Sequence, residues 1–297
     1  MTDLWITAIF WKNLLEPQTN EITKNVSSHI SAEVSQEKSY TNYKKPAKKV
    51  VKQRIYRSKN SVRPEFKDTT LVFAPHPDDE VLCCSQRISE KIKGGENVKI
   101  IFMTNGDALS ETNYADSLNY GRGRREESII AAQKLGLNED DLIFLGFPDG
   151  HLDDLDQQSL TSEFTGLKKT PANSYFAHTP FTRSFLDRSV ARVLEKFKPY
   201  EIYIPSDNLD THPDHQTTGE IVKRVYENEY FRPEIFEYFV HGQTLGGDDN
   251  IVDKEKLSLI RGFRSQFHDV QHREFLESYA KTPEIFYRAF EGLAMDN

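Results

Sequence analysis

From residue 69 onward the chain alternates short apolar runs with helical patterns, and this alternation constrains the fold more than any other feature. Thr70–Ala74 (TLVFA), Val98–Met103 (VKIIFM), Leu142–Leu145, Glu201–Ile204 (EIYI) and Ile235–Val240 read as strands. Glu80–Lys93, Arg122–Leu135, Arg183–Phe197 and Thr217–Glu229 read as helices between them. Gly94-Gly95 and Gly136 stop the first two helices. Apolar strands alternating with helices predict an α/β fold, a three-layer Rossmann-like sandwich around a mostly parallel sheet. In such sheets, polar residues just past the carboxyl ends of the strands converge on one crevice. His76, Asp78, Asp79, Asn105, Asp149, Asp210, His212 and His215 occupy such positions and are predicted to share one rim.

Two clusters on that rim carry chemistry. Pro75-His76-Pro77-Asp78-Asp79-Glu80 follows the first strand, and Asp210-Thr211-His212-Pro213-Asp214-His215 follows the fourth. Imidazole and carboxylate donors without cysteine suit zinc or another borderline divalent ion. A catalytic zinc leaves one position open, so three protein ligands are expected: His76, Asp79 and His215. Asp78 then remains free to act on water, and His212 on a substrate oxygen or leaving group. The competing structural reading is that Asp78 or Asp79 only caps the following helix. His151, His178, His241, His268 and His272 have no such facing cluster as partner and read as structural or solvent-facing. The turn after the first strand is not glycine-rich, and its carboxylates would repel a pyrophosphate, which disfavours a dinucleotide site. A carboxylate-pair glycosidase does not need adjacent histidines. A two-metal phosphoesterase would want more converging carboxylates.

The two motifs resemble those of the PIG-L / LmbE-like zinc-dependent N-acetylglucosaminyl deacetylases, whose His-Pro-Asp-Asp-Glu and His-Pro-Asp-His signatures are similar to His76–Glu80 and His212–His215. Lesser features agree: Thr104-Asn105-Gly106, Arg124-x-x-Glu127, Gly146–Gly150 and the Ser265-Gln266 pair. The resemblance covers roughly residues 69–270. It implies an LmbE-like fold and one Zn²⁺ per chain, held by His76, Asp79 and His215. It further implies Asp78 as general base and His212 as the residue that stabilises the oxyanion or protonates the amine, with Asp214 holding the His212 ring. Arg124 and Asp149 are implied as substrate-binding residues. The implied reaction removes the N-acetyl group from an N-acetylglucosamine-containing sugar or conjugate, a linear C–N bond hydrolysis. The alternatives are an amidase cleaving a sugar–thiol conjugate and a non-catalytic sugar-binding module. Some relatives carry a tyrosine where Asp210 stands, so oxyanion stabilisation by that tyrosine is not implied here.

Residues 1–68 fall outside this pattern, as an N-terminal extension rich in Asn, Ser, Thr and Lys. Trp5, Ile6, Ile9, Phe10, Trp11 and Leu14 are spaced for a short amphipathic helix. The basic run 44–59 reads as a solvated linker, with a patch for an anionic partner as the alternative. The deacetylase domain is expected over 69–297, with an insertion near 151–182 that either walls the crevice, acts as a lid or is a surface loop. Tyr114, Tyr120, Phe147, Phe176 and Phe181 are aromatic residues able to stack on a sugar or to fill the core. A formal charge of -8 argues against a general nucleic-acid binder. No apolar run approaches the roughly 20 residues of a membrane span, and the opening MTDLWITAIFWKNLLEP lacks the basic start of a secretory signal. The only two cysteines, Cys83 and Cys84, are adjacent, which excludes a disulfide scaffold. They are expected as free, buried packing residues, consistent with a reducing cytoplasmic setting.

Overall fold

The computed structural model describes residues 69–109, 113–227, 232–242 and 252–289. The N-terminal extension, with its amphipathic stretch and its basic run 44–59, lies outside the described residues. Strands β1 (Thr69–Ala74), β2 (Asn97–Thr104), β3 (Leu142–Phe147), β4 (Glu201–Pro205) and β5 (Glu234–Tyr238) run parallel in the spatial order β3-β2-β1-β4-β5. A short antiparallel β6 (Tyr287–Arg288) extends the sheet beyond β5. Parallel neighbours need crossovers. Helices α1 (Asp79–Lys93), α2 (Tyr114–Leu135), α3 (Arg183–Phe197) and α4 (Pro213–Glu227) lie in those connections.

Side chains alternate across each strand, so the sheet feeds two cores. Val72, Ile100, Phe102 and Phe144 pack with Ile88 of α1 and Ala131 and Ala132 of α2. Leu71, Phe73, Ile101 and Ile143 pack with Val190 of α3 and Ile221 of α4. These are the expected three layers. Two short helices that the sequence pattern left unassigned, α5 (Lys254–Ile260) and α6 (Val270–Ser278), add Leu259, Ile260 and Leu276 to the first core. No helix among the described residues is long and apolar enough to cross a membrane.

Two helix starts differ from the pattern reading, and both shape the site. Helix α2 begins at Tyr114, not Arg122, because the Asn113 side chain accepts the N–H groups of Ala115 and Asp116 at 3.0 and 3.1 Å. Gly121 and Gly123 obscured this stretch through their poor helix propensity. Gly121 has a packing reason: a Cβ there would stand 2.8 Å from Asp107 Cβ and 3.0 Å from the Asn105 carbonyl oxygen. Its bareness lets α2 lie against the loop after β2. Helix α4 begins at Pro213, not Thr217, with proline supplying a first helical residue that needs no N–H partner. Asp214 and His215 therefore ride on a helix turn, not in a loop.

Gly219 seats α4 against the end of β4. A Cβ there would overlap the Pro205 carbonyl oxygen and come within 3.1 Å of Asp207 N. Backbone cannot swing aside as a side chain can, so Gly219→Ala is expected to cost about 1–3 kcal/mol. At about 2–4 °C per kcal/mol, thermal denaturation should show a clear fall in melting temperature; an unchanged value would mean that α4 is free to shift.

The cysteines are both buried on α1 and pack in the first core, as expected. They are not the free thiols expected: Cys83 and Cys84 are joined to each other in a disulfide.

Candidate metal centre and active site

The strand order reverses at β1, with β2 and β3 added on one side and β4 and β5 on the other, all parallel to it. That switch point opens a crevice at the carboxyl ends of β1 and β4. His76 follows β1 directly, and Asp210 to His215 follow β4, so residues some 140 positions apart meet there (His76 and His215 are separated by 139).

Three donor atoms form a nearly equilateral triangle. His76 Nδ1 lies 3.2 Å from Asp79 Oδ2, Asp79 Oδ2 lies 3.1 Å from His215 Nε2, and His215 Nε2 lies 3.3 Å from His76 Nδ1. Tetrahedral ligands at zinc bond lengths of about 2.0–2.1 Å stand about 3.3 Å apart. The triangle therefore has the size of one face of such a tetrahedron. All three residues are buried. The charge around them points the same way. Asp78, Asp79, Asp149, Asp210 and Asp214 are all buried, and the single buried guanidinium among them belongs to Arg124. Such an excess of buried carboxylates calls for a cation. The donor set, spacing and charge all fit a divalent ion.

The surrounding groups hold these ligands in place. His215 Nδ1 contacts Asp210 Oδ2 at 2.9 Å, and Asp210 is itself fixed by the N–H groups of His212 at 3.0 Å and Val240 at 2.8 Å. Burial lowers the His215 pKa, but Asp79 and Asp210 outweigh it and raise the imidazole to about 9. A metal must displace that proton, so binding releases protons. His76 Nε2 touches two carboxylates, Asp149 Oδ1 at 3.0 Å and Asp214 Oδ2 at 3.1 Å.

Asp214 corrects one expectation. It meets the His212 ring only through its backbone N–H, while its carboxylate turns elsewhere. Its Oδ2 accepts the Gly150 N–H at 2.7 Å and its Oδ1 the Leu152 N–H at 2.9 Å, while Oδ2 also faces His76. The reason is the helix: as the second residue of α4, Asp214 points toward the loop after β3. His212 instead accepts the Asp214 backbone N–H on Nδ1 at 3.2 Å. That bond leaves the neutral ring's proton on Nε2. Burial, reinforced by His76 and His215, lowers the His212 pKa to about 4.

Asp78 occupies the N-cap position of α1 yet makes no side-chain capping hydrogen bond, so capping is not its role. Its φ of 137° is a region that residues with a Cβ rarely enter. Strain of this kind persists only where neighbours impose it. Asp78 Oδ1 accepts from Arg124 Nη2 at 3.2 Å, and its N–H donates to Glu80 Oε2 at 2.8 Å. Burial pushes its carboxyl up to about 6, against the pull of Arg124. Burial likewise pushes Glu80 up to about 8.

Arg124 and Asp149 are buried and engaged with the protein. Arg124 Nη1 donates to the Gly106 carbonyl at 3.3 Å and lies 3.6 Å from Asp149 Oδ2, which also accepts the Ala108 N–H at 3.0 Å. Burial raises the pKa of Asp149, but His76 and Arg124 overcome it and hold the carboxyl below the usual range. His241, read from sequence as structural, packs against the site, with its ring edge-on to that of His215 at 4.7 Å and tilted to that of His212 at 5.3 Å. The strand-end rule applied to the fifth strand would have found it.

The segment 151–182 borders the crevice and enters the fold. Leu152, Leu155 and Phe181 join the second core, and Tyr175 N–H donates to the Phe144 carbonyl at 2.8 Å. Phe164 lies 3.5 Å from where a Cβ on Gly150 would be and pairs with the His151 ring at 5.5 Å. Phe147 and Phe181 are core residues, Phe176 packs against the second core, Tyr120 lies along Arg124, and Tyr114 is exposed.

The contacts of Asp210 carry a prediction. Carboxylates that orient a ligating histidine typically contribute about 10–100-fold to metal affinity. Asp210→Asn should weaken zinc binding by that factor in competition with a chelator. Unchanged affinity would mean that His215 is held by its packing alone.

Comparisons with known proteins identify the family. Over 198 residues the chain is 27% identical to the 1D-myo-inositol 2-acetamido-2-deoxy-alpha-D-glucopyranoside deacetylases of Mycobacterium sp. strains KMS and JLS, covering 61% of this chain and 57% of each relative. The chain thus spans less than two thirds of the length of these relatives. The structure of N,N'-diacetylchitobiose deacetylase from Pyrococcus horikoshii shares the fold, with a TM-score of 0.54 at 21% identity over 74% of this chain and 83% of that one. A family model described as PIG-L, GlcNAc-PI de-N-acetylase, matches residues 71–226, just over half of the 297 residues, and takes in both motifs. The chain belongs to the PIG-L family.

Proposed function

We propose that this protein is a zinc-dependent hydrolase, with one ion per chain, that removes the acetyl group from an N-acetylglucosamine-containing sugar or conjugate. The observation that carries this reading is the triangle of His76 Nδ1, Asp79 Oδ2 and His215 Nε2 with Asp78 beside it. A divalent ion on those three atoms would supply Lewis-acid polarisation of the amide carbonyl and lower the pKa of a water. Of the two carboxylates of the first motif outside the triangle, Asp78 and Glu80, Asp78 accepts the proton of the attacking water. It then passes that proton to the departing nitrogen, so that amide and water become acetate and amine. His212 keeps a proton on Nε2, since Nδ1 is occupied by the Asp214 N–H, and donates a hydrogen bond to the oxygen on which negative charge develops. Arg124 holds Asp78 by its Oδ1, and Asp210, Asp149 and Asp214 hold the imidazoles of His215 and His76.

The relatives' names guide the choice of substrates. Acetate and primary amine should be measured together for N-acetylglucosamine linked to inositol, to phosphatidylinositol and to a second amino sugar. Equal amounts of acetate and amine from one or more of these would support the reading. Release of intact N-acetylglucosamine or of phosphate, without acetate, would contradict it. Cleavage at a different amide of a sugar–thiol conjugate would favour the amidase alternative.

A further inference from the structure

We infer that the turn Arg264–Gln266, which lies beyond the part of the chain matched by the family model, is a clamp that positions Asp78, with Ser265 and Gln266 as positioning residues. The inference rests on the proposed role of Asp78. Three chain segments meet on this one residue. From α1, Glu80 Oε2 accepts the Asp78 N–H at 2.8 Å. From α2, Arg124 Nη2 donates to Asp78 Oδ1 at 3.2 Å. From the 3-10 turn, buried Gln266 donates its amide to the Pro77 carbonyl at 3.4 Å, across 189 residues of sequence, and its side chain favours the charged form of the Asp78 carboxyl next along the chain.

The second and third segments are locked together. Glu127, one helical turn after Arg124, accepts Ser265 N–H at 2.8 Å and Ser265 Oγ–H at 2.6 Å. Each oxygen of one carboxylate is thus used on one serine, a bidentate latch between α2 and the turn. Buried Phe263 anchors the turn in the first core from the other side. The latch therefore fixes the spacing between Arg124 and Gln266, the two groups that grip Asp78. The gripped residue has the φ of 137° that a lone aspartate would not keep. Removing the latch leaves the zinc triangle untouched, because none of its three residues contacts Glu127 or Ser265 in the hydrogen bonds described. It loosens only the base.

The test compares Glu127→Ala, Ser265→Ala and Ser265→Thr with the wild type, each loaded with zinc. Misplacement of a reacting group by about 1 Å can cost about 100-fold in rate. The expected result is a kcat lowered by about 10- to 100-fold in Glu127→Ala, a smaller loss in Ser265→Ala, and recovery in Ser265→Thr, which restores the hydroxyl. KM and zinc content should stay within about twofold. A raised KM with unchanged kcat, or no recovery with threonine, would overturn the clamp. Amide hydrogen exchange at residues 78–80 gives a readout that needs no substrate. Faster exchange there in Glu127→Ala, with α1 and α2 still protected, is expected; unchanged exchange would overturn the clamp. A wild type that turns over no N-acetyl sugar would defeat the proposed reaction instead, and the exchange result would still decide the clamp.

Discussion

Asp78→Asn is expected to lower acetate release by about 100- to 10,000-fold, the usual contribution of a positioned general base, while zinc content stays at one per chain. The substitution keeps the side chain's size and its Oδ1, so the bond from Arg124 Nη2 survives. It removes only the ability to take a proton. Asp78 is not one of the three atoms of the triangle, so the metal should remain. Some stability should be lost, but less than on full truncation, since asparagine keeps the hydrogen bond from Arg124, whose charge also faces Asp149. The measurement is kcat at matched zinc content. A loss smaller than about tenfold would assign the proton transfer to another group, with His212 the next candidate.

The second large effect belongs to His215→Ala. With one corner of the triangle gone, zinc should no longer be retained after dialysis, and acetate release should fall to background. The metal-stripped protein should also be less stable than the metal-stripped wild type. His215 is completely buried between Asp79 and Asp210, whose oxygens lie 3.1 and 2.9 Å from its two ring nitrogens. Alanine leaves both carboxylates without that partner. Breaking a buried ion pair from one side costs about 3–5 kcal/mol. At about 2–4 °C per kcal/mol, the melting temperature should drop on the order of 10 °C. Comparing the stripped forms separates this cost from stabilisation by bound zinc. A variant that still holds one zinc, or that melts with the wild type, would remove His215 from the centre.

These effects were partly legible in the sequence. The apolar runs and the two acidic His-Pro clusters lie on local pattern, and strand-end convergence then places His76, Asp79 and His215 together without any knowledge of side-chain direction. What was not legible depends on direction. The family resemblance implied that Asp214 holds the His212 ring by a hydrogen bond. The helix that starts at Pro213 turns Asp214 toward the Gly150 and Leu152 N–H groups and the far nitrogen of His76. Asp210 stands five residues before a ligating histidine and reaches its Nδ1, but only the bend between β4 and α4 makes that contact possible. His241 escaped notice because it has no acidic neighbour in sequence, although it follows the fifth strand. The strained backbone of Asp78 has no sequence signal, since aspartate is an ordinary N-cap residue and the positive φ appears only with Glu80, Arg124 and Gln266 around it.

The most direct test of the central claim is acetate release by metal-stripped protein, before and after one equivalent of Zn²⁺, on N-acetylglucosamine conjugates. The account predicts no release from the stripped protein, recovery that saturates at one zinc per chain, and no recovery in Asp78→Asn. Full release without any divalent ion, or protein that binds no zinc at all, would contradict it.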